Sequence, residues 1–233
     1  MDYKKRKLLC EGTSKKVYTT SEPDYNILLL KDVRNKKTIP NRGKHCAAVS
    51  TSIFKLLKSY HIPNHFIQQN KPNELVVKNL DMIPVQITVW NYVSKEFYNR
   101  FDVFGEGEAL PCPVIEMYMK SDKKQKQMVN LDHVCVFGYA TPEDIQHIDT
   151  MIRKINAILK SHFERRNLKL VKLVLEFGWF HNKLLLGDEI SPDTCGFWDI
   201  DGETGKIDQK RFHPDQMKSE VEYEELRNRI SPA

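Results

Sequence analysis

The stretch LVKLVLEFGWFHNKLLLGDEISPDTCGFWD, residues 170–199, decides how this chain is read. Two apolar runs flank a short polar turn, which is the pattern of a β-hairpin. Glu176 lies inside the first run, and Asp188 and Glu189 close the second. Burying an unpaired carboxylate costs on the order of several kcal/mol or forces it to take up a proton, so acids placed here face a cation, a metal or a cleft. Ser191-Pro192-Asp193 brings a third acid to the same strand end. Hard oxygen donors gathered at the end of a hairpin are what magnesium and nucleotide phosphates require. Strand side chains alternate between faces, so Glu176 and Asp188 share a face only if the connecting loop, read as Trp179 to Lys183, has an odd residue count or a bulge. The plainer alternative has Asp188 and Glu189 ending a strand in solvent while Glu176 pairs with Lys172 or Lys183.

Upstream of the hairpin, Thr141-Pro142-Glu143-Asp144 spells a helix start: a capping hydroxyl, proline at the first helical position and acids in the first turn. Ile145, Ile148, Ile152, Ile155, Leu159 and Phe163 then form one apolar stripe ending near Arg165-Arg166-Asn167. Short β-type runs occupy Leu8 to Cys10, Lys16 to Thr20, Ile27 to Lys31, Glu74 to Lys78, Val85 to Asn91 and Val114 to Met119. A helix is expected from Ala47 to Tyr60, stopping before Pro63, and a charged one from about Gln216 to Ile230. Strands and helices without regular βαβ alternation make this an α+β chain. The expected layout is an N-terminal antiparallel sheet lobe over 1–84 and a larger C-terminal α/β lobe over 85–233, in one continuous structural unit with a cleft between them.

The composition suits that layout. With 233 residues, an apolar fraction of 40%, a charged fraction of 29%, and 11 Phe, 9 Tyr and 3 Trp, the chain can bury a sizeable core. No segment is long and apolar enough to cross a membrane, and Met1 to Lys7 lacks the apolar core of a signal peptide, so the cytoplasm is the default compartment. Five scattered cysteines, Cys10, Cys46, Cys112, Cys135 and Cys195, give neither a disulfide framework nor zinc-ligand spacing. Eight histidines show no metal-binding spacing, and no Ser or Cys lies in a nucleophile elbow. The net charge of +5 suits anionic small molecules as well as it suits nucleic acid. The basic runs Lys4 to Lys7 and Lys120 to Lys126 read as solvated faces, so nucleic acid is not expected as a partner.

Gly12-Thr13-Ser14-Lys15 lies between two short strands. A glycine turn lets amides approach phosphate oxygens and the lysine adds a point charge, although the spacing is not that of a P-loop. By itself the segment is equally a hairpin turn with a solvated lysine.

Taken in order, these segments resemble the SAICAR synthetase family. The resemblance covers nearly the whole chain and rests on Glu11 to Tyr18 (EGTSKKVY), residues 76–86 (VVKNLDMIPVQ), Met128-Val129-Asn130, LEFG at 175–178, GDEISPDTC at 187–195 with Trp198-Asp199, and residues 207–212 (IDQKRF). It implies a two-lobed fold with ATP in the interlobe cleft. It also implies ATP-dependent condensation of L-aspartate with carboxyaminoimidazole ribotide in purine biosynthesis, with magnesium as cofactor and a homo-oligomeric state left open. Carried over by position, Lys15, Asp193 and Arg211 would be catalytic. Gly12, Lys15, Lys78, Met82, Glu176 and Asp188 would bind the nucleotide, and Glu176 and Asp188 the metal. The chain departs from the family pattern at Trp90, where an arginine is usual, and at Lys95, Lys126, Lys172, Val174, Gly196 and His213. The alternative these departures leave open is a non-catalytic homologue that retains nucleotide or partner binding.

Overall fold

The structure is a computed structural model that describes residues 3–120 and 127–231. All of the basic run Lys120 to Lys126 except Lys120 therefore lies outside the described residues. The chain divides into two compact units, and it crosses between them four times. One unit comprises Met1–Asp81, Gly178–Asp193 and Met217–Ala233; the other comprises Met82–Phe177 and Thr194–Gln216.

The first unit opens with strands β1 (Leu8–Glu11), β2 (Lys15–Thr19) and β3 (Tyr25–Leu30), a small ribbon of β4 (Val33–Arg34) and β5 (Lys37–Thr38), helix α1 (Arg42–Ser59), and strands β6 (Phe66–Lys71) and β7 (Glu74–Lys78). Their five-stranded sheet runs β1-β2-β3-β7-β6, antiparallel throughout. Val49, Ile53, Phe54 and Leu57 bury one face of α1, as their helical spacing predicts. The helix starts five residues earlier than the apolar pattern suggests. Asn41 takes a left-handed conformation (φ 54°) and the Asp32 carboxylate accepts from the Gly43 amide at 2.8 Å, satisfying a free donor of the first turn. A Cβ on Gly43 would lie 2.2 Å from the Leu30 carbonyl oxygen, so glycine is what lets the helix begin against β3.

The chain then passes through β8 (Asp81–Met82) into the second unit, with β9 (Val85–Tyr92), the short α2 (Lys95–Tyr98), β10 (Ala109–Met119), β11 (Met128–Val129), α3 (Leu131–Val136), α4 (Pro142–Glu164) and β12 (Leu168–Phe180). Thr141 caps α4 in a full capping box with Asp144, and the expected apolar stripe is buried. Phe163 on that stripe meets Phe197 edge to face at 4.8 Å.

From Gly178 the chain is back in the first unit, where β12 ends and β13 (Lys183–Gly187) begins. The turn is tighter than expected: only His181 and Asn182 lie between the strands, both with positive φ (45° and 62°), as two-residue hairpin turns require. This even count does not meet the odd-loop condition under which the strand pleat would put Glu176 and Asp188 on one face. Strands β14 (Cys195–Ile200) and β15 (Ile207–Asp208) return to the second unit, completing the order β11-β10-β9-β12-β14-β15. Helix α5 (Glu220–Ile230) closes the chain in the first unit, starting at the Ser219 capping box rather than near Gln216.

Candidate functional site

In the first unit, residues far apart in sequence converge on the segment after β13. Lys15, at the start of β2, ion-pairs with the Asp188 carboxylate and lies 3.6 Å from Glu189. The Lys15 side chain is 26% exposed, Asp188 14% and Glu189 2%, so Lys15 is not the solvated lysine of the plainer reading. Gly12 shapes the turn that delivers it: the Gly12 amide donates to the Lys15 carbonyl at 2.9 Å, and the Lys31 ammonium donates to the Gly12 carbonyl at 2.9 Å.

Asp188 itself has φ 56°, a left-handed conformation that costs a non-glycine residue about 1 kcal/mol. His65 stands under it, with Nε2 2.7 Å from the Asp188 carbonyl oxygen. A carbonyl only accepts, so the imidazole carries its proton on Nε2. Burial pushes the His65 pKa down to about 4, against a smaller opposing pull from Asp188. Lys78, the last residue of β7, donates its amide to the His65 carbonyl and holds its ammonium 5.1 Å from the Phe180 ring centre. Its pKa is lowered, first by desolvation and then by Lys58 and Lys183.

Asp193 is enclosed. The Arg34 guanidinium donates to it at 2.5 Å and the Tyr223 hydroxyl at 2.7 Å, while the fully buried Arg42 ion-pairs with its second oxygen. Cys46 approaches that oxygen at 3.9 Å. Cys46, Glu189 and Asp193 place potential metal ligand atoms within 4.8 Å of one another. Their chemistry does not suit a dication: two guanidinium groups already neutralise Asp193, and burial holds the Cys46 thiol protonated, pushed up to about 12. Asp188 fits magnesium better, because its carboxylate is partly exposed and meets one flexible lysine rather than two guanidinium groups. The Asp193 oxygens meet two guanidinium groups and a phenol, and these contacts hold the turn after β13.

In the second unit, Glu176 on β12 accepts from Lys120 at 2.6 Å rather than from Lys172 or Lys183. Met82 is half-buried at the end of β8, and Arg211 donates to the buried Asp199 at 2.7 Å. Lys172 is paired across the strands with Trp90. Its ammonium lies 4.5 Å from the indole centre and donates to Glu96 at 2.8 Å. On the same tryptophan, Nε1 donates to Glu116 at 2.7 Å, and Glu116 also accepts from Arg100 at 3.1 Å and Tyr118 at 2.8 Å. Trp90 is thus buried at 1% exposure in a network that closes its own charges.

Of the residues picked from the sequence, Gly12, Lys15, Lys78, Asp188 and Asp193 belong to the first unit, and Met82, Glu176 and Arg211 to the second. His65, Arg34 and Tyr223 lie in no motif with a local signature, and the sequence marks Lys120 only as part of a basic run.

Residues 8–230 match the SAICAR synthetase family. The chain is 38% identical to the phosphoribosylaminoimidazole-succinocarboxamide synthase of Chlorobium limicola over 232 residues, covering 97% of this chain and 98% of that protein. The crystal structure of the synthase of that name from Ehrlichia chaffeensis superposes with a TM-score of 0.86 at 32% identity, covering 97% of this chain and 99% of that one. A SAICAR synthetase solved in complex with ADP superposes equally well, with a TM-score of 0.86 at 34% identity, over 97% of this chain and 98% of its own. With sequence and fold matched end to end, the chain belongs to the SAICAR synthetase family.

Proposed function

We propose that this protein is an ATP-dependent carbon–nitrogen ligase of purine biosynthesis that joins L-aspartate to carboxyaminoimidazole ribotide. The observation that carries this reading is the Lys15 ion pair with Asp188 at the glycine turn, in a family with a member solved in complex with ADP. The chemistry asks little covalent work of the protein: it must hold phosphates, screen their charge and align an amine with an activated carboxyl group. Lys15 supplies a point charge for phosphate oxygens, and Gly12 shapes the turn that places it. Asp188 supplies a carboxylate oxygen for magnesium, which when bound neutralises phosphate charge. Glu176 is proposed for the nucleotide ribose or metal, Met82 and Lys78 for the nucleotide, and Arg211 as a cationic contact to substrate. Asp193 contributes by holding its turn. The compartment proposed is the cytoplasm.

Replacing Asp188 with asparagine keeps its size and removes the charge. Calorimetry with ADP is expected to show that this variant has lost the magnesium-dependent part of its affinity. An increment equal to that of the unaltered protein would make the acid purely structural.

The network around Trp90 favours a second reading, a nucleotide-binding homologue without ligase activity. Lys172 and Arg100 are committed to Glu96 and Glu116, which leaves their charge largely spent before an anionic substrate arrives. Loss of one charge-assisted contact to a carboxylate or phosphate costs about 1.5–3 kcal/mol, or roughly ten- to a hundredfold in rate. Measuring ADP release from ATP and the ribotide, with and without L-aspartate, separates the two. Aspartate-dependent turnover is expected of the ligase; nucleotide binding with ADP release indifferent to aspartate is the signature of the second reading.

A further inference from the structure

We propose that His65 is a positioning residue that sets the direction of the Asp188 carboxylate by holding the Asp188 carbonyl group with Nε2–H. The inference rests on the reading of Asp188 as a magnesium ligand. A left-handed residue other than glycine needs an outside restraint, and Asp188 has one from the imidazole at 2.7 Å. The donor is itself fixed on every side. The His65 amide donates to the Leu186 carbonyl at 2.9 Å, its carbonyl accepts from Lys78 at 2.8 Å, and the neighbouring Leu186 amide donates to Pro63 at 3.1 Å. The ring packs edge to face on Phe54 at 5.3 Å. Two residues beyond Asp188, the Ser50 hydroxyl donates to the Ile190 carbonyl at 3.0 Å. The peptide that carries Asp188 is therefore pinned on both sides, and its rotation would swing the carboxylate away from Lys15.

Glutamine places its amide nitrogen close to where histidine places Nε2, asparagine is too short to reach, and leucine has no donor. The full chain is titrated with ADP, with and without magnesium chloride. His65→Leu is expected to lose at least tenfold of the magnesium-dependent gain in affinity while its magnesium-free affinity stays within about twofold, and His65→Gln to keep the gain within about threefold. A merely structural histidine would leave Leu and Gln alike. If His65→Leu does not fold, His65→Asn against His65→Gln carries the same comparison. The proposal is overturned if the donor-free or short variant keeps the full magnesium-dependent gain, or if His65→Gln loses as much as it does. Asp188→Asn run alongside separates the causes: if it too keeps the gain, the metal role of Asp188 has failed, and if it alone loses the gain, the role of His65 has failed.

Discussion

Replacing Asp193 with alanine is expected to destabilise the protein by about 3–5 kcal/mol, the cost of breaking a buried ion pair by removing one partner. The side chain is 6% exposed, and the Arg42 side chain beside it is fully buried. Without the carboxylate, Arg42 and Arg34 would face each other across the space it leaves, and the Tyr223 hydroxyl would lose its acceptor. That phenol already sits in a low-dielectric site, its pKa pushed up to about 12 chiefly by burial. The loss should appear as a lower urea midpoint with an unchanged slope. Because Arg42 opens α1 and Tyr223 lies on α5, the contact between these helices, which Asn41 and Glu220 also join, should loosen first in hydrogen exchange. An unfolding free energy within about 0.5 kcal/mol of the parent would mean that Asp193 does not anchor these helices.

The second large effect is on the pH dependence of folding. In the folded chain His65 stays neutral down to about pH 4, against an ordinary value of 6.5. Between these values the unfolded chain binds a proton that the folded chain refuses, so stability rises with pH over this window. The contribution is fully present above about pH 6.5 and is lost as the pH falls toward 4. A depression of this size corresponds to about 3 kcal/mol. Urea unfolding of the nucleotide-free protein from pH 4 to 7.5 should therefore lose stability steeply on the acid side, and His65→Gln, which cannot titrate, should show a shallower slope. Equal slopes for the two proteins would mean that His65 takes up its proton without penalty. His45, also held low mainly by burial, adds to the acid sensitivity of both.

How far the sequence reaches can be seen from these same residues. The start of α4 is legible because Thr141, Pro142 and Asp144 are neighbours and their bonds close within one turn. The hairpin and its acids are legible because period-two patterning is local, and the apolar run at 74–78 has the same bounds as strand β7. What sequence does not carry is the partner of each acid. Lys15 lies 173 residues from Asp188 and Arg34 lies 159 from Asp193, and no composition or periodicity joins them. Glu176 illustrates the limit: the plainer alternative pairs it with a nearby lysine, and the structure brings up Lys120, 56 residues away in sequence. His65 gives no signal at all, since its work is done through one ring nitrogen and a main-chain carbonyl. The four crossings between units escape a linear reading too, because the crossing at 177–178 falls inside β12, near its end, where no glycine- or proline-rich linker marks it.

Lys15 and Asp188 are proposed to form the phosphate and metal end of a nucleotide site. A crystal structure of the protein soaked with ATP and magnesium tests it most directly. The expected result is a phosphate oxygen within about 3 Å of the Lys15 ammonium, with Asp188 released from that lysine and turned to the metal. A bound nucleotide whose phosphates lie away from Lys15, with the Lys15–Asp188 ion pair still closed, would contradict it.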